Sequence, residues 1–211
     1  MNQIVNAQSY FNQLQRVITD LPASTIERVA AALLSAYEQG RTVFLFGNGG
    51  SAALASHFAC DLAKGTVVGA EDGKRFRVMA LTDNVPMMTA WANDTAYENI
   101  FAQQLKNFVR GGDIAFAISG SGNSPNVLRA LEVAREAGAI NIGLTGFQGG
   151  AMKNLCDLCV IIPSDNMQII EDLHLSVAHA VFSIIRSEVS ERRTVSIESE
   201  PLLRTDKKAM V

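Results

Sequence analysis

The 211 residues carry 48% hydrophobic and 18% charged side chains and a formal net charge of -3, enough apolar material for one sizeable core and hence one domain. The slight acidity leaves no basic footprint for phosphate backbones, which excludes a strong nonspecific binder of nucleic acid. No apolar run reaches the ~18 residues of a membrane span, MNQIVNAQSY lacks a leader profile, and Cys60, Cys156 and Cys159 make no disulfide pattern, so a cytoplasmic protein away from membranes is expected.

Ile4, Phe11, Leu14, Val17 and Ile18 recur at helical spacing and predict a helix over 2–19. After Leu21 and Pro22, Ser24 and Glu27 have the spacing of a capping box, and Ile26, Val29, Ala30, Leu33, Leu34 and Tyr37 continue an amphipathic helix to Gly40. These two helices form a hairpin, residues 1–40, whose apolar stripe packs on the sheet or, in oligomerisation, against a second copy. Thr42 to Phe46 has the composition of a strand buried on both faces. Gly47-Asn48-Gly49-Gly50-Ser51 is too glycine-rich to stay extended, and SAALASHFACDLAK reads as a helix. Strand-like runs recur at 76–81, 113–119, 140–145 and 158–163, with helical stretches at 86–109, 125–137, 149–155 and 167–189. This alternation predicts an α/β fold, a single doubly wound parallel five-stranded sheet flanked by helices, with right-handed crossovers. Residues 191–211 are polar with little periodicity and are expected to be a mobile tail.

In such a sheet ligands sit beyond the carboxyl ends of the strands. The glycine loop followed by a helix start is an anion site, because loop amides and the helix dipole point into it; a phosphorylated small molecule is the expected occupant. Gly47, Gly49 and Ala52 also have dinucleotide-fingerprint spacing, but no acidic residue ends a second strand about 20 residues on, as ribose recognition needs. Ser119-Gly120-Ser121-Gly122-Asn123-Ser124-Pro125 offers three hydroxyls and free amides at a helix start, suited to a phosphate held without strong cationic help; the alternative is a flexible turn with a serine cap. Cys156 and Cys159 have CxxC spacing but straddle the start of an apolar strand, so ordinary buried thiols are expected rather than a redox or metal pair.

His57 and Asp61 lie four apart on the helix after the glycine loop, so both face one side and can share a metal or a proton. Glu171, Asp172, His174 and His179 interrupt an otherwise apolar last helix. Glu171 and His179 are ~12 Å apart along the helix axis, so one site using both must span a substrate or combine two subunits. His174, ~140° around the helix from His179, reads as core.

GNGGSAALASHFACDL, ALTDN, WANDTAYENIFAQQ, SGSGNSPNVLRALEVAREAG, LTGFQGG and EDLHLSVAH resemble, in order, the motifs of the phosphoheptose isomerases, the sedoheptulose 7-phosphate isomerase branch of the SIS domain superfamily, over about residues 2–190. The resemblance implies a SIS domain over 1–190, a homotetramer with active sites between subunits, a zinc ion in each site, and conversion of sedoheptulose 7-phosphate to D-glycero-D-manno-heptose 7-phosphate through an enediol. Asn48, Gly49, Gly50 and Ser51 match the substrate loop, Asn93 and Asp94 an Asn-Asp pair, and Ser119, Gly120, Ser121 and Ser124 the phosphate loop. His57, Asp61, Glu171 and His179 fall where the family has His, Glu, Gln and His around the metal and the reacting carbons. Asp61 and His179 are thus the expected catalytic pair, and Glu171 a substrate contact as well as a metal ligand.

Asp61 withdraws its carboxylate by ~1.5 Å relative to the family's glutamate, a gap that proton transfer tolerates poorly; Glu171 is expected to supply what Asp61 withholds. Leu54 stands where the family has aspartate and Gly120 where it has threonine, Thr66 to Lys74 lacks its Arg and Pro pattern, and no glycine lies between Asp94 and Tyr97. The alternative is a non-catalytic phosphosugar-binding regulator, or a tetrameric partner of the replication initiator like one relative without the catalytic set. Two retained histidines and two carboxylates favour the enzyme.

Overall fold

The computed structural model describes residues 4–67 and 74–199. Its helices are Ala7–Thr19 (α1), Ala23–Gln39 (α2), Gly50–Cys60 (α3), Val85–Asp94 (α4), Ala102–Phe108 (α5), Pro125–Glu136 (α6) and Met167–Ser199 (α7). Thr42–Gly47 (β1), Arg77–Ala80 (β2), Ile114–Ser119 (β3), Ile140–Thr145 (β4) and Leu158–Ile161 (β5) form one parallel sheet in the order β2-β1-β3-β4-β5, as the alternation predicts.

Alternate strand residues feed two cores. Val43, Leu45, Phe116 and Ile118 face the one shared with α2, α3 and α7, whereas Phe44, Phe46, Ala115 and Ala117 face the one shared with α5 and α6. Every residue of β3 is buried, which explains its unbroken apolar run. From β1 the chain goes outward to β2 and then returns to β3 on the other side. The loops leaving β1 and β3 therefore flank one crevice at the point where strand order reverses, the usual ligand position in doubly wound sheets.

Several boundaries differ from the sequence expectation. α2 begins at Ala23 behind Pro22 and has no side-chain cap; Ser24 is already in the first turn, so the Ser24–Glu27 capping box does not form, and the fixed φ of proline starts the helix instead. The stretch 86–109 is α4, a 3-10 turn Tyr97–Asn99 and α5, because Thr95 and Ala96 leave the helical region. The stretch 149–155 contains only a 3-10 turn, Met152–Asn154, preceded by Gly149 and Gly150 at positive φ. α7 runs on to Ser199 through the start of the expected tail, and Arg192 on it pairs with Glu38 of α2. Residues 200–211 of that tail, and 68–73 of the Thr66 to Lys74 segment, lie outside the described residues.

α1 starts at Ala7 in a capping box between Asn6 and Ser9. It meets the core through Tyr10, Leu14 and Val17, while Phe11 and Ile18 stay 59% and 48% exposed. α7, over Met167–Arg192, has the length and apolar content of a membrane span. One stripe of it, Ile170, Leu173, Val177, Val181 and Ile185, is buried in the first core, the pattern of a core helix.

Phe58 of α3 is fully buried and meets Phe116 of β3 edge-on, with ring centroids 5.5 Å apart. Phe58→Ala is expected to lower the unfolding free energy by about 3–5 kcal/mol, measured by urea titration.

Candidate active site

β1 ends at Gly47, and the chain turns through Gly49, at φ 56, into α3. His57 lies on α3, and Asp61 opens a π-helical turn, Asp61–Gly65, that continues it; such turns recur at functional sites. α7 crosses close by. A Cβ on Gly65 would stand 2.4 Å from Cζ of Phe182, so only glycine allows this approach.

That crossing brings His179 to His57. Their Nε2 atoms are 2.9 Å apart, and Oδ2 of Asp61 lies 3.4 Å from His57 Nε2 and 3.8 Å from His179 Nε2. Two facing imidazole nitrogens at this distance either share a proton or direct both lone pairs at one cation. Tetrahedral ligands with bonds of zinc length stand ~3.4 Å apart. The three separations bracket that value, so the trio fits such an ion, and its two histidines line the adjoining cavity.

The cavity encloses about 360 Å³ and is also lined by Gly50, Ser51, Glu171, Asp172 and His174. Glu171 and His179 thus serve one cavity within a single chain. Glu171, however, is not part of the trio. Its Oε1 lies 3.2 Å from the place a Cβ on Gly50 would take. Asp172 accepts a 2.5 Å hydrogen bond from the hydroxyl of Tyr10 on α1. Burial, the hydrogen bond and the charge of Asp172 push the Tyr10 phenol up to about 12, so it remains a donor. His174 is buried, and desolvation outweighs a hydrogen bond to the Thr145 backbone, holding its imidazole down at about 4; its Nε2 has no hydrogen-bond partner among the described residues.

At the end of β3, the hydroxyls of Ser119 and Ser124 are 3.2 Å apart. Ser119 Oγ accepts from the Gly122 amide, and Ser121 Oγ from the Asn123 amide, each at 3.2 Å. Ser124 is the N-cap of α6 without a side-chain cap bond. Gly120, where threonine was the family expectation, faces α7: a Cβ there would stand 2.5 Å from Sδ of Met167. The glycine and serine loops are joined directly. Asn48 and Asn126 exchange amide hydrogen bonds of 2.9 and 2.8 Å, and the Tyr97 hydroxyl donates to Asn48 Oδ1 at 3.1 Å.

Asn93 and Asp94 are exposed at the end of α4, hydrogen-bonded to each other at 2.8 Å, and do not line the cavity. Sequence reasoning missed Tyr10, Tyr97 and Asn126. Asn126 adjoins the serine loop, but its amide partner is 78 residues away and the carboxylate partner of Tyr10 is 162 away, distances at which periodicity carries no signal.

A family model described as SIS domain matches residues 8–146. A phosphoheptose isomerase of Aneurinibacillus thermoaerophilus is 34% identical over 201 residues, covering 94% of this chain and 100% of its own. Among solved structures, a phosphoheptose isomerase from Francisella tularensis superposes with a TM-score of 0.79 at 32% identity, covering 85% of this chain and 96% of its own. One from Neisseria gonorrhoeae gives 0.78 at 28% identity with the same coverage.

Gly120→Thr is expected to cost about 2 kcal/mol of stability by overpacking, and Met167→Ala in the same chain to recover part of it, a coupling read from a double-mutant cycle. For His174 the unfolded chain takes up a proton near 6.5 and the folded chain only near 4. Its contribution is therefore complete above about 6.5 and lost as pH falls to about 4, by about 3 kcal/mol in all. Urea unfolding of wild type and His174→Asn across that window should show the slope in the former and its loss in the latter.

Proposed function

We propose, for a chain that belongs to the SIS domain family and within it to the phosphoheptose isomerases, that its substrate is sedoheptulose 7-phosphate and its product D-glycero-D-manno-heptose 7-phosphate. Membership makes it an aldose–ketose isomerase of phosphosugars. The observation that carries the reading is the cluster of His57, Asp61 and His179, whose two histidines line a cavity together with Glu171, Gly50 and Ser51.

The phosphate is held by Ser119, Ser121 and Ser124 with the amides at the start of α6, the sugar lies past Asn48, Gly49, Gly50 and Ser51, and C1 and C2 reach the cavity. His57, Asp61 and His179 are the residues that would hold zinc, which when bound polarises the carbonyl and offsets charge on the enediolate. Glu171 is the base in our assignment. Asp61 is engaged with two imidazoles and Asp172 with Tyr10, whereas Glu171 makes no hydrogen bond or ion pair among the described residues. It removes a proton from C1, a cis-enediol forms, and the proton returns at C2. His179 exchanges the hydroxyl proton between O1 and O2 once its Nε2 leaves the contact with His57; bound to a cation the same nitrogen is a ligand, and chelation separates the two roles.

The uncovered apolar face of α1, with Phe11 and Ile18, supports a homotetramer. Asn93 and Asp94, exposed and away from their own chain's cavity, are assigned to the site of a neighbouring subunit.

Proton NMR in D2O with sedoheptulose 7-phosphate tests the reading, since exchange at C1 needs only abstraction. Wild type with zinc should exchange, and Glu171→Gln should exchange about 100-fold more slowly or worse while retaining its zinc. Loss of zinc with unchanged turnover in Glu171→Gln would return the base to Asp61. No exchange in wild type, with the sugar phosphate still raising the melting temperature, would make the protein a binding protein. Chelation that abolishes exchange, restored by zinc, assigns His179 as ligand; full activity after chelation assigns it as relay.

A further inference from the structure

Outside the catalytic cavity one pair of reactive side chains is brought together that the isomerase chemistry does not use. Cys156 precedes β5 and Cys159 is its second residue, on the edge strand of the sheet. Gly143 of β4 is the register partner of Cys159. Both sulfurs occupy the room its missing side chain leaves: a Cβ on Gly143 would stand 2.7 Å from Cys156 Sγ and 3.2 Å from Cys159 Sγ. Those distances put the two sulfurs no more than about 6 Å apart, so closing a disulfide, with sulfurs about 2 Å apart, takes a movement of the two side chains toward each other over the glycine. Contrary to the sequence expectation, neither thiol is fully buried, and neither lines the catalytic cavity.

We propose that Cys156 and Cys159 form a redox-active dithiol, a modification site at which a low-molecular-weight disulfide such as oxidised glutathione closes an intramolecular disulfide. Chemistry assigns the order of events. A hydrogen bond from Cys156 lowers the Cys159 thiol, with burial opposing and Lys153 assisting, whereas donating that bond, together with burial, pushes the Cys156 thiol up. Cys159 is therefore the attacking thiolate. It bonds to one sulfur of oxidised glutathione, the glutathione disulfide bond breaks, and one glutathione leaves as thiolate and is protonated by water. With Cys159 capped, Cys156 no longer donates to a thiolate, loses its proton, and attacks Cys159 Sγ to displace the second glutathione. Two protein thiols are oxidised by two electrons and one small disulfide is reduced to two thiols.

The test uses the full chain carrying Cys60→Ser, which removes the third thiol. The protein is equilibrated with glutathione buffers of increasing oxidised fraction, quenched in acid, alkylated and examined by intact mass and peptide mapping. The expected product is two hydrogen masses lighter, has neither Cys156 nor Cys159 alkylated, and returns to the dithiol with dithiothreitol. Cys156→Ser should trap a glutathione adduct at Cys159, and Cys159→Ser should leave Cys156 unmodified. Alkylation of both thiols at every ratio, or a stable glutathione adduct in the chain that keeps both cysteines, overturns the proposal. The wild-type pair carries the decision even if a serine variant folds poorly.

Discussion

Two imidazole nitrogens 2.9 Å apart, on residues separated by 122 positions, set the tolerance to which the rest of this molecule is built. Neither α3 nor α7 can bring them together alone. α3 is fixed by burying Leu54, Ala55 and Phe58 against the sheet, and α7 by the buried stripe from Ile169 to Val189; Phe182 seated over Gly65 sets how close the two come. A core packed as densely as a crystal resists even small displacements. A ligand set on two helices that share such a core keeps its geometry far better than one carried on loops.

The end of the site proposed for the phosphate depends on the sheet in a different way. β1 and β3 are neighbours, so their loops start side by side, and the amide pair of Asn48 and Asn126 ties them. Asn48, expected from the family likeness to touch substrate, spends its side chain on this clasp. The loop from Ser119 to Pro125 has no basic residue. In the proposed mode a phosphate there is met by hydroxyls, amides and a helix terminus, which fix its orientation by geometry.

The strands were legible because a parallel strand covered on both faces must be apolar throughout, and β1, β3 and β4 have no competing pattern. Boundaries set by single residues were less so. Ser24 and Glu27 satisfy a capping box in spacing, yet with Pro22 as its N-cap the helix starts two residues too early for them. Thr95 and Ala96 break the long apolar stretch without a glycine or proline to announce it. In the site, the i,i+4 pair His57 and Asp61 was readable from helix geometry, and the serine loop from its composition. The separation of Glu171 from the histidines was not, since axial rise gives only a distance along α7 and not which neighbour each side chain meets. Gly120 shows the same limit: its reason is Met167, on an element that begins 47 residues later.

Charge accounts for the division of work proposed for the carboxylates. In that mechanism, abstraction by Glu171 moves its negative charge onto the substrate oxygens. A unit positive charge ~4 Å from such an oxygen is worth roughly 4 kcal/mol at an effective dielectric constant of 20, about three decades of rate. Among the groups lining the cavity, only the histidine cluster can carry it, as a bound cation or a protonated imidazole. In that mechanism Asp61, whose Oδ2 lies 3.4 Å and 3.8 Å from the two imidazole nitrogens, is the partner that steadies positive charge rather than the base. Retreat by one methylene is then a small matter for Asp61, while a free carboxylate at Glu171 becomes a requirement. Glutamate at 171 without the two histidines would strand the enediolate charge, and the histidines without it would leave the proton in place. The proposed isomerisation needs both, and both line the same 360 Å³ cavity; binding a sugar phosphate needs neither.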